Sequence, residues 1–102
     1  MAYVNITKEN FEELVLKNEK KVLLDFWAPW CAPCRMLGQV LEEVAGERPD
    51  VKICKVNVDE EYELAVRYKI VSIPALIVME GGVMEDKVVG FHSKQEVLSL
   101  LA

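Results

Sequence analysis

Two cysteines stand three residues apart in the segment Trp30-Cys31-Ala32-Pro33-Cys34. That spacing lets the sulfurs close a small disulfide ring and reopen it without large backbone motion. The pair follows an apolar run and precedes a segment of helical periodicity, so it falls at a helix N-terminus. Free N–H groups and the positive end of the helix dipole favour a thiolate there over a thiol. Cys31, the outer cysteine, is the expected nucleophile, and Cys34, one turn into the helix and more buried, the expected resolving thiol. Half of a zinc site is one alternative, but zinc takes about four ligands. The remaining candidates, Cys54 and His92, lie far apart without a second paired motif, so no metal is expected. A purely structural disulfide is disfavoured as well, because so short a loop constrains the unfolded chain little.

Two charged residues sit where charge is expensive. Asp25 interrupts the run Val22-Leu23-Leu24-Asp25-Phe26-Trp27, and Lys55 stands among Ile53, Cys54 and Val56. A lone carboxylate in such a strand is costly unless it has a partner or a task. Burial would raise its pKa and let it shuttle protons near neutral pH. Lys55 is the expected partner if the two strands are neighbours. The alternative is that both side chains reach solvent at strand ends, as is the norm for these types. Pro74 follows Ile73 just before a strand, and taken alone it reads as an ordinary trans proline. Cys54 reads as an inert core residue. His92 reads as a surface residue without a partner, and Met36, Met79 and Met84 as packing.

The elements that must position these groups alternate between strand-like and helix-like runs. Tyr3 to Ile6 is a short strand, and Thr7 is a plausible N-cap for a helix with Phe11, Leu14 and Val15 at helical spacing. Glu9, Glu12 and Glu13 suit the positive end of that helix. Val22 to Trp27 has the near-continuous apolar character of a central strand covered on both faces. After Pro29 and Pro33 a helix begins near Cys34, buries Leu37, Val40, Leu41 and Val44, and is ended with the help of Pro49. Val51 to Val58 is a strand, and Asp59 can cap a helix to about Tyr68 with Leu64, Ala65 and Tyr68 facing inward. Pro74 opens the strand Ala75 to Met79. Gly81-Gly82 makes a tight hairpin turn, and Val83 to Phe91 supplies the antiparallel partner. Ser93-Lys94-Gln95-Glu96 has capping-box spacing ahead of Val97, Leu98, Leu100 and Leu101. The order β-α-β-α-β-α-β-β-α predicts an α/β architecture with a mixed sheet.

Composition narrows the function classes. The 102 residues give room for one domain, 1–102, and no repeat or linker divides them. With 52% hydrophobic residues, disorder is not expected. Twelve basic against seventeen acidic residues, net charge −5, argue against nucleic acid as a partner. No apolar run reaches the ~20 residues of a membrane span, and Met1-Ala2-Tyr3-Val4-Asn5 has no secretion signal, so a cytoplasmic protein is expected. Three cysteines are too few, and odd in number, for a secreted disulfide scaffold.

The block Leu24-Asp25-Phe26-Trp27-Ala28-Pro29-Trp30-Cys31-Ala32-Pro33-Cys34-Arg35-Met36 closely resembles the active-site region of the thioredoxin family. The likeness continues through Lys55-Val56-Asn57-Val58-Asp59, Ile73-Pro74 and Val89-Gly90, and so covers nearly the whole chain. It implies the thioredoxin fold, a central mixed five-stranded sheet flanked by about four helices. It also implies a buried acid at Asp25 with Lys55 nearby, and a cis bond before Pro74 beside the cysteines. A substrate strand would then pair with the backbone of Ile73. Trp30, Ala32, Pro33, Ile73, Val89 and Gly90 would form a shallow apolar landing patch around Cys31. Phe91 stands beside it where smaller residues are usual, and either enlarges the patch or tucks away. Other departures are Ala32 for the usual Gly, Gln39 after Gly38 for a helix-kinking proline, and Ala75 for the usual Thr.

The expected function is that of a protein-disulfide reductase and electron carrier. Its partners would be disulfide-containing protein substrates and, as the resemblance implies, a thioredoxin reductase, a flavoenzyme drawing on NADPH. No Gly-rich dinucleotide loop is present in this chain, so no bound cofactor is expected, and a monomer is. Two rivals are a disulfide oxidant or isomerase, which commonly carries a His between the cysteines, and a binding module that works whatever its redox state.

Overall fold

The computed structural model describes residues 3–102. Five strands form one sheet in the order β1-β3-β2-β4-β5, with β1 Tyr3–Asn5, β2 Lys21–Trp27, β3 Val51–Asn57, β4 Ala75–Glu80 and β5 Val83–Val89. The β1·β3 and β2·β3 pairs are parallel, and β2·β4 and β4·β5 are antiparallel. The sheet is therefore mixed, with β2 near its centre.

Side chains alternate across the strands and define two cores. Val22, Leu24 and Phe26 of β2, with Cys54, Val56 and Ile77, pack against Phe11, Val15 and Leu64 on one face. Leu23, Ile53, Leu76 and Val78 pack on the other against Leu37, Leu41 and Val44 of α1 (Ala32–Glu47) and Val97 of α3 (Lys94–Leu100). The remaining helices are a π-helical segment, Glu12–Leu16, and α2, Tyr62–Arg67.

The differences from expectation lie at the ends of elements. Thr7 does not cap the first helix. Its hydroxyl accepts from Asn10 N–H, and Asn10 Oδ1 accepts from Thr7 N–H, so the two close a separate turn. Phe11 caps the π-helical segment, in which Lys17 N–H reaches back five residues to Glu12 O. Asp59 does not cap α2 either: Glu61 stands at that position, and Tyr68 follows the helix end, half-buried. α1 starts at Ala32, two residues earlier than expected, with Cys31 as its cap. Its last residue is Glu47, so it stops short of Arg48, the residue before Pro49, where proline disfavours helical backbone. β3 stops at Asn57 and β5 at Val89.

Other signals correspond closely to the structure. Gly81 and Gly82 have φ of +61° and +79°, the left-handed pair that a two-residue hairpin turn demands. Ser93 Oγ accepts from Glu96 N–H while Glu96 Oε1 accepts from Ser93 N–H, completing the capping box.

Candidate active site

The reactive turn leaves the C-terminal end of β2 and enters α1 directly. Pro33 sits in the first turn of α1, where its missing N–H costs no helical bond. Cys31 has extended backbone at the cap position, and its sulfur accepts a hydrogen bond from Cys34 N–H at 3.3 Å. Cys31 and Cys34 form a disulfide with Cα atoms 5.2 Å apart. Both are covered, Cys31 5% and Cys34 1% exposed, and they pack with Ala28, Trp27, Val58 and Ile73.

Three segments meet at this turn. Cys31 Sγ lies 3.9 Å from Ile73 O, and the Ile73–Pro74 bond is cis. Gly90 N–H donates to Pro74 O at 2.7 Å, with Gly90 at φ +94°, and Val89 stands opposite Ala75. Trp30, 68% exposed, shares with Ile73, Val58, Ile70 and Val71 a surface groove of about 290 Å³. Ala32 and Pro33 are exposed on the first turn of α1. Of the expected landing patch, Trp30 and Ile73 line this groove. Phe91 does not tuck away: it is 44% exposed.

Asp25 and Lys55 stand deeper. They are register partners on β2 and β3, on the face that α1 covers. Asp25 is fully buried, so the alternative of two solvent-reaching strand ends does not hold for it. Lys55 Nζ is 4.0 Å from Asp25 Oδ2 and lies over the rings of Tyr3 and Trp27, 4.5 and 4.9 Å from their centroids. Among the described residues neither Asp25 oxygen has a hydrogen-bond partner. Burial therefore pushes the Asp25 carboxyl up to about 7, and the Lys55 charge offsets this only in part.

Four residues make contacts that escaped the sequence reading. Asp59 Oδ2 accepts from Trp30 Nε1 at 3.0 Å and so orients the exposed indole. His92 is not a free surface residue: it is half-buried, and its Nδ1 is 2.9 Å from Gly90 O. Tyr3 and Trp27 wall Lys55. No local pattern links partners 29 or 52 positions apart. Among the described residues no group of three or more His, Cys, Asp or Glu side chains is placed to hold a metal ion.

The thioredoxin family model matches residues 2–102. The chain belongs to the thioredoxin family. It is 44% identical over 102 residues to the thioredoxin of Staphylococcus haemolyticus, covering 99% of this chain and 96% of that one. It is 43% identical over 95 residues to the thioredoxin of Rickettsia bellii, covering 92% and 90%, and 42% identical over 100 residues to thioredoxin 2 of Chlorobaculum tepidum, covering 97% and 92%. As a thioredoxin-family protein with its CxxC pair at disulfide distance, it is a protein-disulfide oxidoreductase that performs dithiol–disulfide exchange. Disulfide-containing proteins are its class of substrate, and a reductase is its partner.

Proposed function

We propose that this thioredoxin works in the reducing direction, with Cys31 as the attacking thiolate and Cys34 as the resolving thiol. The observation that carries the assignment is the hydrogen bond from Cys34 N–H to Cys31 Sγ at the cap of α1. A donor and a helix dipole aimed at one sulfur stabilise negative charge on that sulfur. Cys34, inside the helix and more fully covered, has no such donor among the described residues.

The Cys31 thiolate attacks one sulfur of the substrate disulfide. The substrate S–S bond breaks, its other sulfur leaves as a thiolate and takes a proton, and Cys31 is held in a mixed disulfide. Cys34 then gives its proton to Asp25 and attacks Cys31 Sγ, releasing the second substrate thiol. Two electrons have passed to the substrate, and Cys31 and Cys34 are left oxidised. A thioredoxin reductase then restores the dithiol. A carboxyl near 7 is suited to take and return a proton at neutral pH. No direct hydrogen bond joins Asp25 to Cys34, so the transfer needs either closer approach of the two groups or a bridging water.

The substrate segment lies along Ile73, with Trp30, Ala32, Pro33, Pro74, Val89 and Gly90 as its apolar floor. Action as a monomer in the cytoplasm is part of this reading, and the net charge of −5 disfavours nucleic acid as a partner. None of the described helices is long and apolar enough to cross a membrane. The test is reduction of a protein disulfide such as insulin by the purified dithiol form. Wild-type protein should turn over with a reductant present and Cys31→Ser should not. Inertness of the wild type, or equal activity of Cys31→Ser, would overturn the reading.

A further inference from the structure

Tyr3, on the edge strand, has no part in the mechanism as assigned so far. β1 lies in parallel register with β3, Tyr3 opposite Ile53, and β3 with β2, Lys55 opposite Asp25. Because side chains alternate along each strand, Tyr3, Lys55 and Asp25 come to the same α1-covered face. There the Lys55 ammonium lies 4.5 Å from the Tyr3 ring centroid, 4.9 Å from that of Trp27 and 4.0 Å from Asp25 Oδ2. Gly38 of α1 closes the niche, since a Cβ there would stand 3.3 Å from Nζ. Only 12% of the lysine side chain is exposed.

Lysine carries a compact, strongly hydrated charge on a flexible stem, so it turns to water unless something holds it. The contact with Asp25 is too long for a hydrogen bond. The two ring faces supply the grip, and their attraction for a cation grows as water is excluded. We propose that Tyr3 is a positioning residue that holds the Lys55 ammonium against Asp25 and so helps set the pH at which Cys34 passes its proton. The proposal rests on the reading of Asp25 as the proton acceptor. The other titratable group at the niche is Glu42 of α1, which is exposed and shares a small cleft with Tyr3, Gly38 and Lys55. β4 sets only Leu76 opposite Asp25, and Lys94 of α3 is engaged by Glu43 and Glu47. Without the Tyr3 ring, the ammonium is free to turn toward water and Glu42. Trp27 packs against the cysteines, so Tyr3 is the ring that can be altered apart from the reactive turn.

The test follows the Asp25 carboxyl of the dithiol form by NMR across pH, alongside the pH profile of disulfide exchange with insulin. Tyr3→Leu keeps apolar bulk and removes the π face. Both midpoints should move upward by roughly half a pH unit, because the displaced ammonium lowers the carboxyl less. Tyr3→Phe keeps the face and should leave both midpoints where the wild type has them. Added to Lys55→Met, Tyr3→Leu should move the carboxyl titration no further, since the ring acts through the lysine. A carboxyl midpoint that stays or falls in Tyr3→Leu, an equal shift in Tyr3→Phe, or an undiminished shift without Lys55 would overturn the proposal alone. A carboxyl midpoint that rises while the exchange midpoint stays would defeat the reading of Asp25 as proton acceptor, and this proposal with it.

Discussion

Lys55 Nζ stands 4.0 Å from Asp25 Oδ2, close enough to act through charge and too far to hydrogen-bond. The pair is thus an ion contact without the bonds that usually compensate a buried carboxylate. Desolvation outweighs the Coulomb attraction, which is why the Asp25 carboxyl rises to about 7 instead of falling.

Stability should consequently decline with pH. The unfolded chain loses the Asp25 proton near the ordinary carboxylate pKa of ~4, whereas the folded chain keeps it to about 7. Between those values the native state binds more protons, so its stability falls as pH rises, and the penalty is complete above about 7. Asp25→Asn should flatten this slope and resist denaturant better by a few kcal/mol at pH 8, at about 1.4 kcal/mol per pH unit. It should also slow exchange by roughly 10²-fold or less. Denaturant melts across pH 4–9 and exchange rates measure both. A variant that is less stable yet fully active would make Asp25 a purely structural residue.

The two active-site thiols should differ in trapping. Cys34→Ser should accumulate a mixed disulfide with protein substrates, because the resolving thiol is absent, while Cys31→Ser should accumulate none. Non-reducing gels after incubation with a disulfide protein read this directly. Equal trapping would reverse or abolish the role assignment.

Cys54 should be silent. It is fully buried, and burial pushes its thiol up to about 11, with Lys52 opposing weakly. With Cys31 and Cys34 blocked, native protein at pH 7.5 should take up no thiol reagent until it unfolds. Labelling within minutes under native conditions would mean that the strand opens locally.

Gly38→Ala should retune the acid through the lysine. A Cβ there would meet Lys55 Nζ at 3.3 Å, the movable end of a flexible side chain. Alanine favours the helix by about 0.8–1.0 kcal/mol over glycine, so folding should be little changed. Displaced from Asp25, the ammonium would lower its pKa less. The pH midpoint of exchange, and of the carboxyl titration followed by NMR, should therefore move upward. A midpoint that stays or falls would show that Lys55 does not govern the proton.

Much of this was legible in the chain because it is local. Cys31 and Cys34, the Ser93–Glu96 capping box and the Gly81-Gly82 turn each announce themselves within four residues. The odd charges in apolar strands also gave away Asp25 and Lys55, since burial of such groups is rare enough to need a reason. What escaped were partnerships set by the three-dimensional path. Asp59 looks like a helix cap because acids favour that position, yet the turn after β3 presents it to Trp30 instead. Thr7 looks like a cap as well, but Asn10 competes for it and closes a turn first. The π-helical segment has the Phe11, Leu14, Val15 spacing of an ordinary helix, which cannot reveal an i→i−5 bond.

The strand order has a consequence for how the molecule ages and fails. β2, which delivers the cysteines, is bonded on both sides, whereas β5, which leads to Gly90 and Phe91, is bonded on one. Edge segments open at little free-energy cost, while a central strand exchanges its amides only when nearly everything opens. Amide deuteration should therefore enter near Val89–Phe91 long before Leu24–Trp27. On the proposed reading, the cysteines would follow the strand slowest to exchange and the Gly90 side of the substrate path one of the fastest, so substrate fit could fluctuate without loosening the thiols.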